Sequence, residues 1–287
     1  MKGLLVFFIF FFRLYPGELL MAQQRTGYQV FEDIPYAEDR EQKMDIYLPD
    51  KEKANGNKDF TIGFLHGGAY YASDKKREER YIEPYLKKGF NVVNLNYRLK
   101  RGIPLATSDL THALNFLKAR QSDYSLNLSG IIVTGFSAGA QICTNVALAQ
   151  NNREFPETLD DGIDITGVIN FSGPVGDLEF IEKIFIDHEN ESYSTAGKAL
   201  FPAEGYASKE VLAVYEPATY FDDEDPPVFL WHGGMDDQIP PATFRQFVSM
   251  MREDKDFRMF IPDGKHSPNQ EEFDEAYEEI FEFLQDL

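Results

Sequence analysis

The chain has 287 residues, 43% of them hydrophobic and 26% charged. That globular composition excludes a wholly disordered chain, a collagen-like fibre and a multi-span membrane protein. With 28 Lys and Arg against 48 Asp and Glu the net charge is −20, so nucleic acid is excluded for want of a basic face, and anionic membranes and anionic substrates are disfavoured.

Met1-Lys2 followed by the uncharged run at 3–12 is a basic start and an apolar stretch too short to span a bilayer. With small Ala22 at the cleavage position, residues 1–22 read as a secretory signal peptide. The mature protein is then expected to be exported, periplasmic or secreted, without stable membrane association. Residues 23–287 read as a single domain.

Residues 29–36 and 43–48 alternate in polarity and predict an antiparallel hairpin at a sheet edge. Beyond it, apolar runs at 61–65, 91–96, 131–134, 166–171, 227–231 and 257–261 are continuous. Such runs suit strands buried on both faces of a parallel sheet. Helical patterns alternate with them. Residues 107–120 place Leu110, Ala113, Leu114 and Leu117 on one face, with Ser108 as the expected N-cap. A second pattern covers 241–252. A third, 270–286, follows the cap signal Ser267-Pro268-Asn269 and carries Phe273, Tyr277, Ile280 and Leu284. The alternation predicts an α/β fold with a mostly parallel central sheet and helices on both faces. Residues 174–220 break the rhythm and read as an insertion over one edge of the sheet, a candidate lid.

Three loops follow strands and carry chemistry. Gly135-Phe136-Ser137-Ala138-Gly139 lies between the run at 131–134 and an apolar helix. A serine on so sharp a strand-to-helix turn projects its hydroxyl at the carboxyl edge of the sheet, beside a helix N-terminus that favours negative charge. Ser137 is therefore the expected nucleophile. His66-Gly67-Gly68-Ala69-Tyr70 follows the run at 61–65. Its glycines let backbone N–H groups approach a developing oxyanion, so Gly68 and Ala69, together with Ala138, are the expected donors. His66 reads as a residue that orients this loop. His232-Gly233-Gly234-Met235-Asp236-Asp237 follows the run at 227–231 and offers two acids for holding an imidazole, Asp236 and Asp237.

Of the five histidines, His112 sits mid-helix, His188 in an acidic stretch without metal-ligand spacing, and His66 and His232 in glycine loops. His266 follows the last strand and is the expected base. The lone cysteine, Cys143, reads as a small buried hydrophobe.

With these elements in order, the chain resembles the α/β-hydrolase family, in its carboxylesterase and hormone-sensitive-lipase-like branch. Within that branch it is similar to bacterial feruloyl and acetyl esterases. The resemblance covers about residues 28–287 and is also carried by residues 42–49 (QKMDIYLP), 66–75 (HGGAYYASDK) and 96–99 (NYRL). Relatives set the acid in a His-Gly-x-x-Asp arrangement, which points to Asp236. The order Ser137, Asp236, His266 is that of the family. The resemblance implies an α/β-hydrolase fold and a serine carboxylic-ester hydrolase acting on a small-molecule or saccharide ester, with no cofactor and no metal. An amidase, arylformamidase or peptidase on the same fold is the alternative, and a non-catalytic binding protein a more distant one. Two departures stand out: Ala69 where many relatives carry a third glycine, and Lys100-Arg101-Gly102-Ile103 where they often have Ala-Pro-Glu. The Ala69 methyl, Tyr70 and Tyr71 beside it, and acids such as Asp177, Glu179 and Glu182 in the insertion lead to the expectation of short acyl chains.

Overall fold

A strand whose two faces are both covered by helices has no polar face to keep, and the continuous apolar runs are strands of this kind. The computed structural model describes residues 23–25, 27–50, 60–201 and 209–287. The expected leader, residues 1–22, lies outside the described residues. The strands are β1 (Gln23–Arg25), β2 (Tyr28–Pro35), β3 (Lys43–Pro49), β4 (Thr61–Leu65), β5 (Asn91–Leu95), β6 (Ile131–Phe136), β7 (Ile165–Phe171), β8 (Val228–Gly233) and β9 (Phe257–Ile261). They form one sheet in the order β1-β2-β3-β5-β4-β6-β7-β8-β9. The first three strands are antiparallel to their neighbours, as the hairpin pattern predicts, and β5-β4-β6-β7-β8-β9 are parallel. This is the expected α/β-hydrolase architecture.

Helices α1 (Glu83–Lys88), α2 (Ile103–Tyr124), α3 (Ala138–Ala149), α4 (Leu178–Ile186), α5 (Glu191–Leu200), α6 (Lys209–Val214), α7 (Arg245–Met250) and α8 (Gln270–Asp286) pack around it. Successive strand residues divide between two cores. Ile131 and Val133 of β6 join Val168, Val228 and Leu230 under α2 and α3. Ile132 joins Ile169, Phe229 and Trp231 under α1 and α8. Burying one such side chain stabilises by about 1.5–3 kcal/mol, so this two-sided pattern sets the strand register.

Helix α8 starts as the sequence predicts, with Asn269 accepting from the Glu272 amide in a capping box. Two other helix expectations need correction. Ser108 is not an N-cap: α2 begins earlier, with Gly102 at the cap and Pro104 in the first turn, and Ser108 is buried inside the helix. Next to it, buried Asp109 receives a bidentate Arg98 and the Gln42 amide, which draws this turn of α2 into the interior. Over 241–252, Pro241–Phe244 forms a 3₁₀ turn and only α7 is α-helical.

The insertion between β7 and β8 is helical. Helices α4 and α5 pack on each other and send Leu178, Ile181, Phe185, Ala196 and Leu200 into the core under α2 and α3. Its two ends are tied together where the Leu178 amide donates to Glu216 Oε1 at 2.8 Å and the Ala218 amide to the Val175 carbonyl at 2.8 Å.

Candidate active site

The turn from β6 into α3 holds Ser137 at φ 51°, ψ −120°, a conformation that costs of order 1–3 kcal/mol and is kept by its surroundings. The Ser137 amide donates to the Phe171 carbonyl at 2.8 Å. A Cβ on Gly139 would stand 2.2 Å from the Leu65 carbonyl oxygen, so only glycine lets α3 pack this closely against the end of β4.

The base and acid converge on this serine from the neighbouring strands. The Ser137 hydroxyl lies 2.9 Å from His266 Nε2, and His266 Nδ1 lies 2.7 Å from Asp236 Oδ2. A carboxylate only accepts, so Nδ1 carries the ring proton and Nε2 is left to accept from Ser137. The other Asp236 oxygen accepts the amides of Gln238 and Ile239, each at 2.9 Å. Asp236 is buried, whereas Asp237 is exposed; of the two acids, the geometry brings Asp236 to the imidazole. A hydroxyl bonded in this way loses its proton to the ring as it attacks, and the buried carboxylate stabilises the imidazolium formed.

The loop after β4 lies beside the serine. Gly68 (φ 103°), Ala69 (φ 52°) and Tyr70 (φ 57°) are all left-handed. At Gly68 a Cβ would fall 2.0 Å from the Ala72 carbonyl oxygen, so the turn requires glycine there. Among the described residues the amides of Gly68 and Ala69 donate to no other group. Ala69, Ala138 and Ser137 line one cavity. His66 holds the loop: its Nδ1–H donates to the Gly67 carbonyl at 2.7 Å and its ring stacks on Tyr97 at 4.5 Å. Burial pulls the His66 ring down to about 4, so it stays neutral near pH 7.

The remaining candidates lie apart from the site chemistry. His232 stacks on Phe244 and accepts from the Arg258 guanidinium at 3.1 Å, and burial pulls its ring down to about 4. His112 lies 3.8 Å from Glu157, and His188 stacks on Tyr193. Burial pushes the Cys143 thiol far up, which makes it inert as a nucleophile.

The cavity beside Ser137 measures about 20 Å³, little more than the room one water needs. Its walls include Ala69, Tyr70, Leu178, Ile181, Phe185 and Leu200. Tyr70 spends its hydroxyl on Gln141 Oε1 at 2.9 Å. Tyr71 does not line the cavity; it lies under the Lys100 ammonium at 4.9 Å. The acids of the insertion do not reach the cavity wall either. Helix α4 is amphipathic and turns Leu178, Ile181 and Phe185 inward, so the insertion presents an apolar wall to the cavity, a correction to the expectation that its acids bear on the acyl preference.

Residues 44–251 match the family described as BD-FAE. The chain is similar to the probable carboxylic ester hydrolase LipM of Mycobacterium tuberculosis, 24% identical over 255 residues, which is 83% of this chain and 55% of that protein. It is also similar to endo-1,4-beta-xylanase B of Butyrivibrio fibrisolvens, 25% identical over 200 residues, 67% of this chain and 29% of that protein. The chain thus spans about half the length of the first relative and under a third of the second. Among solved structures, a bifunctional GH43-CE protein of Bacteroides eggerthii superimposes with a TM-score of 0.70 at 26% identity, over 89% of this chain and 38% of that one.

Proposed function

The chain belongs to the BD-FAE family, and from that membership and the Ser137–His266–Asp236 geometry we propose that it is a serine carboxylic-ester hydrolase acting on short-acyl, carbohydrate-linked esters. The observation that carries the reading is the unbroken hydrogen-bond chain from hydroxyl to imidazole to buried carboxylate.

Ser137 Oγ attacks the ester carbonyl carbon while His266 Nε2 takes its proton. The carbonyl oxygen becomes an oxyanion, met by the amides of Gly68, Ala69 and Ala138. Collapse of the tetrahedral species breaks the bond to the alcohol oxygen, and His266 returns the proton to that oxygen. Water then repeats the sequence on the acyl-enzyme: His266 takes its proton, the acid leaves, and Ser137 is regenerated. Asp236 keeps the imidazole in one tautomer and stabilises the imidazolium.

The acyl side of the reading rests on the narrow apolar cavity of about 20 Å³ beside Ser137, room for the methyl of an acetyl group. The carbohydrate side rests on the likeness to a xylanase and to a GH43-CE protein. Export follows from reading residues 1–22 as a leader and belongs to the same proposal.

Turnover of p-nitrophenyl acetate by wild type and Ser137→Ala is the test. The variant should fold and lose about four to six decades of kcat. Near wild-type turnover would remove Ser137 from the role. Faster turnover of p-nitroacetanilide than of p-nitrophenyl acetate would turn the reading to an amidase.

A further inference from the structure

His266 hands its proton to the departing alkoxide, so the alcohol half of the substrate has to lie against His266, away from the apolar acyl cavity. The residues that follow the oxyanion turn carry polar side chains, and Glu78 among them is near enough to His266 for their charges to interact. Ser73 sits against that turn: a Cβ on Gly68 would come within 3.0 Å of the Ser73 Cβ. The Ser73 hydroxyl donates to Glu78 Oε1 at 3.2 Å. The Glu78 carbonyl accepts the Tyr81 amide at 3.0 Å. Tyr81 stacks on Phe136 at 5.1 Å, and Phe136 packs on His266 at 5.1 Å. Glu78 is thus anchored at one end to the oxyanion turn and at the other, through two rings, to the base.

The second carboxylate oxygen of Glu78 accepts no hydrogen bond among the described residues. The group is half-buried, and burial pushes its pKa up; Ser73, Arg80 and His266 only partly offset this. A partly desolvated carboxylate with a free oxygen seeks a donor. With a net charge of −20 on the chain, an anionic substrate does not supply it. A neutral hydroxyl or a cationic group can supply it.

We infer that Glu78, held by Ser73, is a specificity residue of the alcohol subsite, accepting a hydrogen bond from a hydroxyl of a polyol leaving group such as a sugar or glycerol. The inference rests on the ester-hydrolase reading above and extends it to the alcohol.

The experiment keeps the acyl group fixed as acetyl and varies the alcohol: glyceryl monoacetate, ethyl acetate and acetylcholine. Wild type, Glu78→Ala and Glu78→Gln are compared by kcat and KM. Glu78→Ala should lose about tenfold more kcat/KM on glyceryl monoacetate than on ethyl acetate, mainly through KM, as expected for one lost charge-assisted hydrogen bond. Glu78→Gln keeps a carbonyl acceptor and should recover part of the loss. Equal losses on all three esters would make Glu78 a residue that only positions His266, and no loss would make it idle; either overturns the inference. A loss greatest on acetylcholine would assign the subsite to a cationic alcohol and overturn the polyol assignment. Wild type hydrolysing none of the esters would overturn the hydrolase reading itself and this inference with it. Turnover of all three with an unchanged ratio overturns this inference alone.

Discussion

The Met235 amide donates to the Gly264 carbonyl at 2.8 Å, joining the loop that carries Asp236 to the loop that carries His266. A second backbone bond, from the Gly234 amide to the Ile261 carbonyl at 2.7 Å, lies beside it. Acid and base are therefore set against each other by main chain, before substrate arrives. Holding reacting groups in place in advance is worth several decades of rate, and a misplacement near 1 Å costs about a hundredfold.

Asp236→Asn should lower kcat by roughly four decades, because the neutral amide lets His266 adopt the wrong tautomer. Asp237→Asn should stay within about threefold of wild type, since Asp237 is exposed and makes no contact with the imidazole. Steady-state kinetics of the two variants on one ester decide the point; a reversed ranking would move the acid to Asp237.

Leu178, Ile181 and Phe185 of α4 and Leu200 of α5 wall the cavity beside Ser137, and under the proposed function trimming that wall should lengthen the preferred acyl chain. Phe185→Ala should shift the kcat/KM maximum from acetate toward butyrate or hexanoate, and Ile181→Val should shift it the same way and less. One methylene in such a pocket is worth about 1–3 kcal/mol, so the shift should be graded. A p-nitrophenyl ester series from acetate to palmitate measures it. An unchanged profile in both variants would separate these walls from acyl choice.

Asp225 offers a pH test of stability. Its carboxylate accepts the Asp222 amide at 2.7 Å, and burial pushes its pKa up to about 7. In the unfolded chain the group titrates near its usual value of about 4. Between those values the folded state holds a proton that the unfolded state has lost, so stability falls as pH rises through that window. Asp225→Asn keeps an acceptor and removes the charge. It should raise the Tm by at least about 2 °C at pH 8 and leave it nearly unchanged at pH 4. Calorimetry at both pH values is the measurement, and a variant less stable at pH 8 would contradict the assignment.

Much of this was legible in the chain because strand and turn signals are local. The run at 61–65 reappears as β4 with the same bounds, and Asn269 caps α8 as its Ser-Pro-Asn context predicts. Helix α1 went unseen: six residues are too few to show a period, and it ends at Gly89 in the left-handed region. In the insertion, Leu178, Ile181 and Phe185 do have helical spacing, but acids between them masked it. Other features exist only in the folded chain. Lys75 is buried on Asp33 at 2.7 Å and Asp45 at 2.9 Å, partners 42 and 30 positions away in sequence. Glu78 was equally hidden, one more charge in the run Asp74–Arg80 until Ser73 and Tyr81 fixed its place.

The central claim, that Ser137 is an activated nucleophile, is met most directly by labelling with a p-nitrophenyl phosphonate ester and mapping the adduct by mass spectrometry. The hydrogen bond to His266 at 2.9 Å predicts one equivalent of label, on Ser137, formed much more slowly in His266→Ala and absent from Ser137→Ala. Label on another residue, or no label while the protein still hydrolyses esters, would contradict the account.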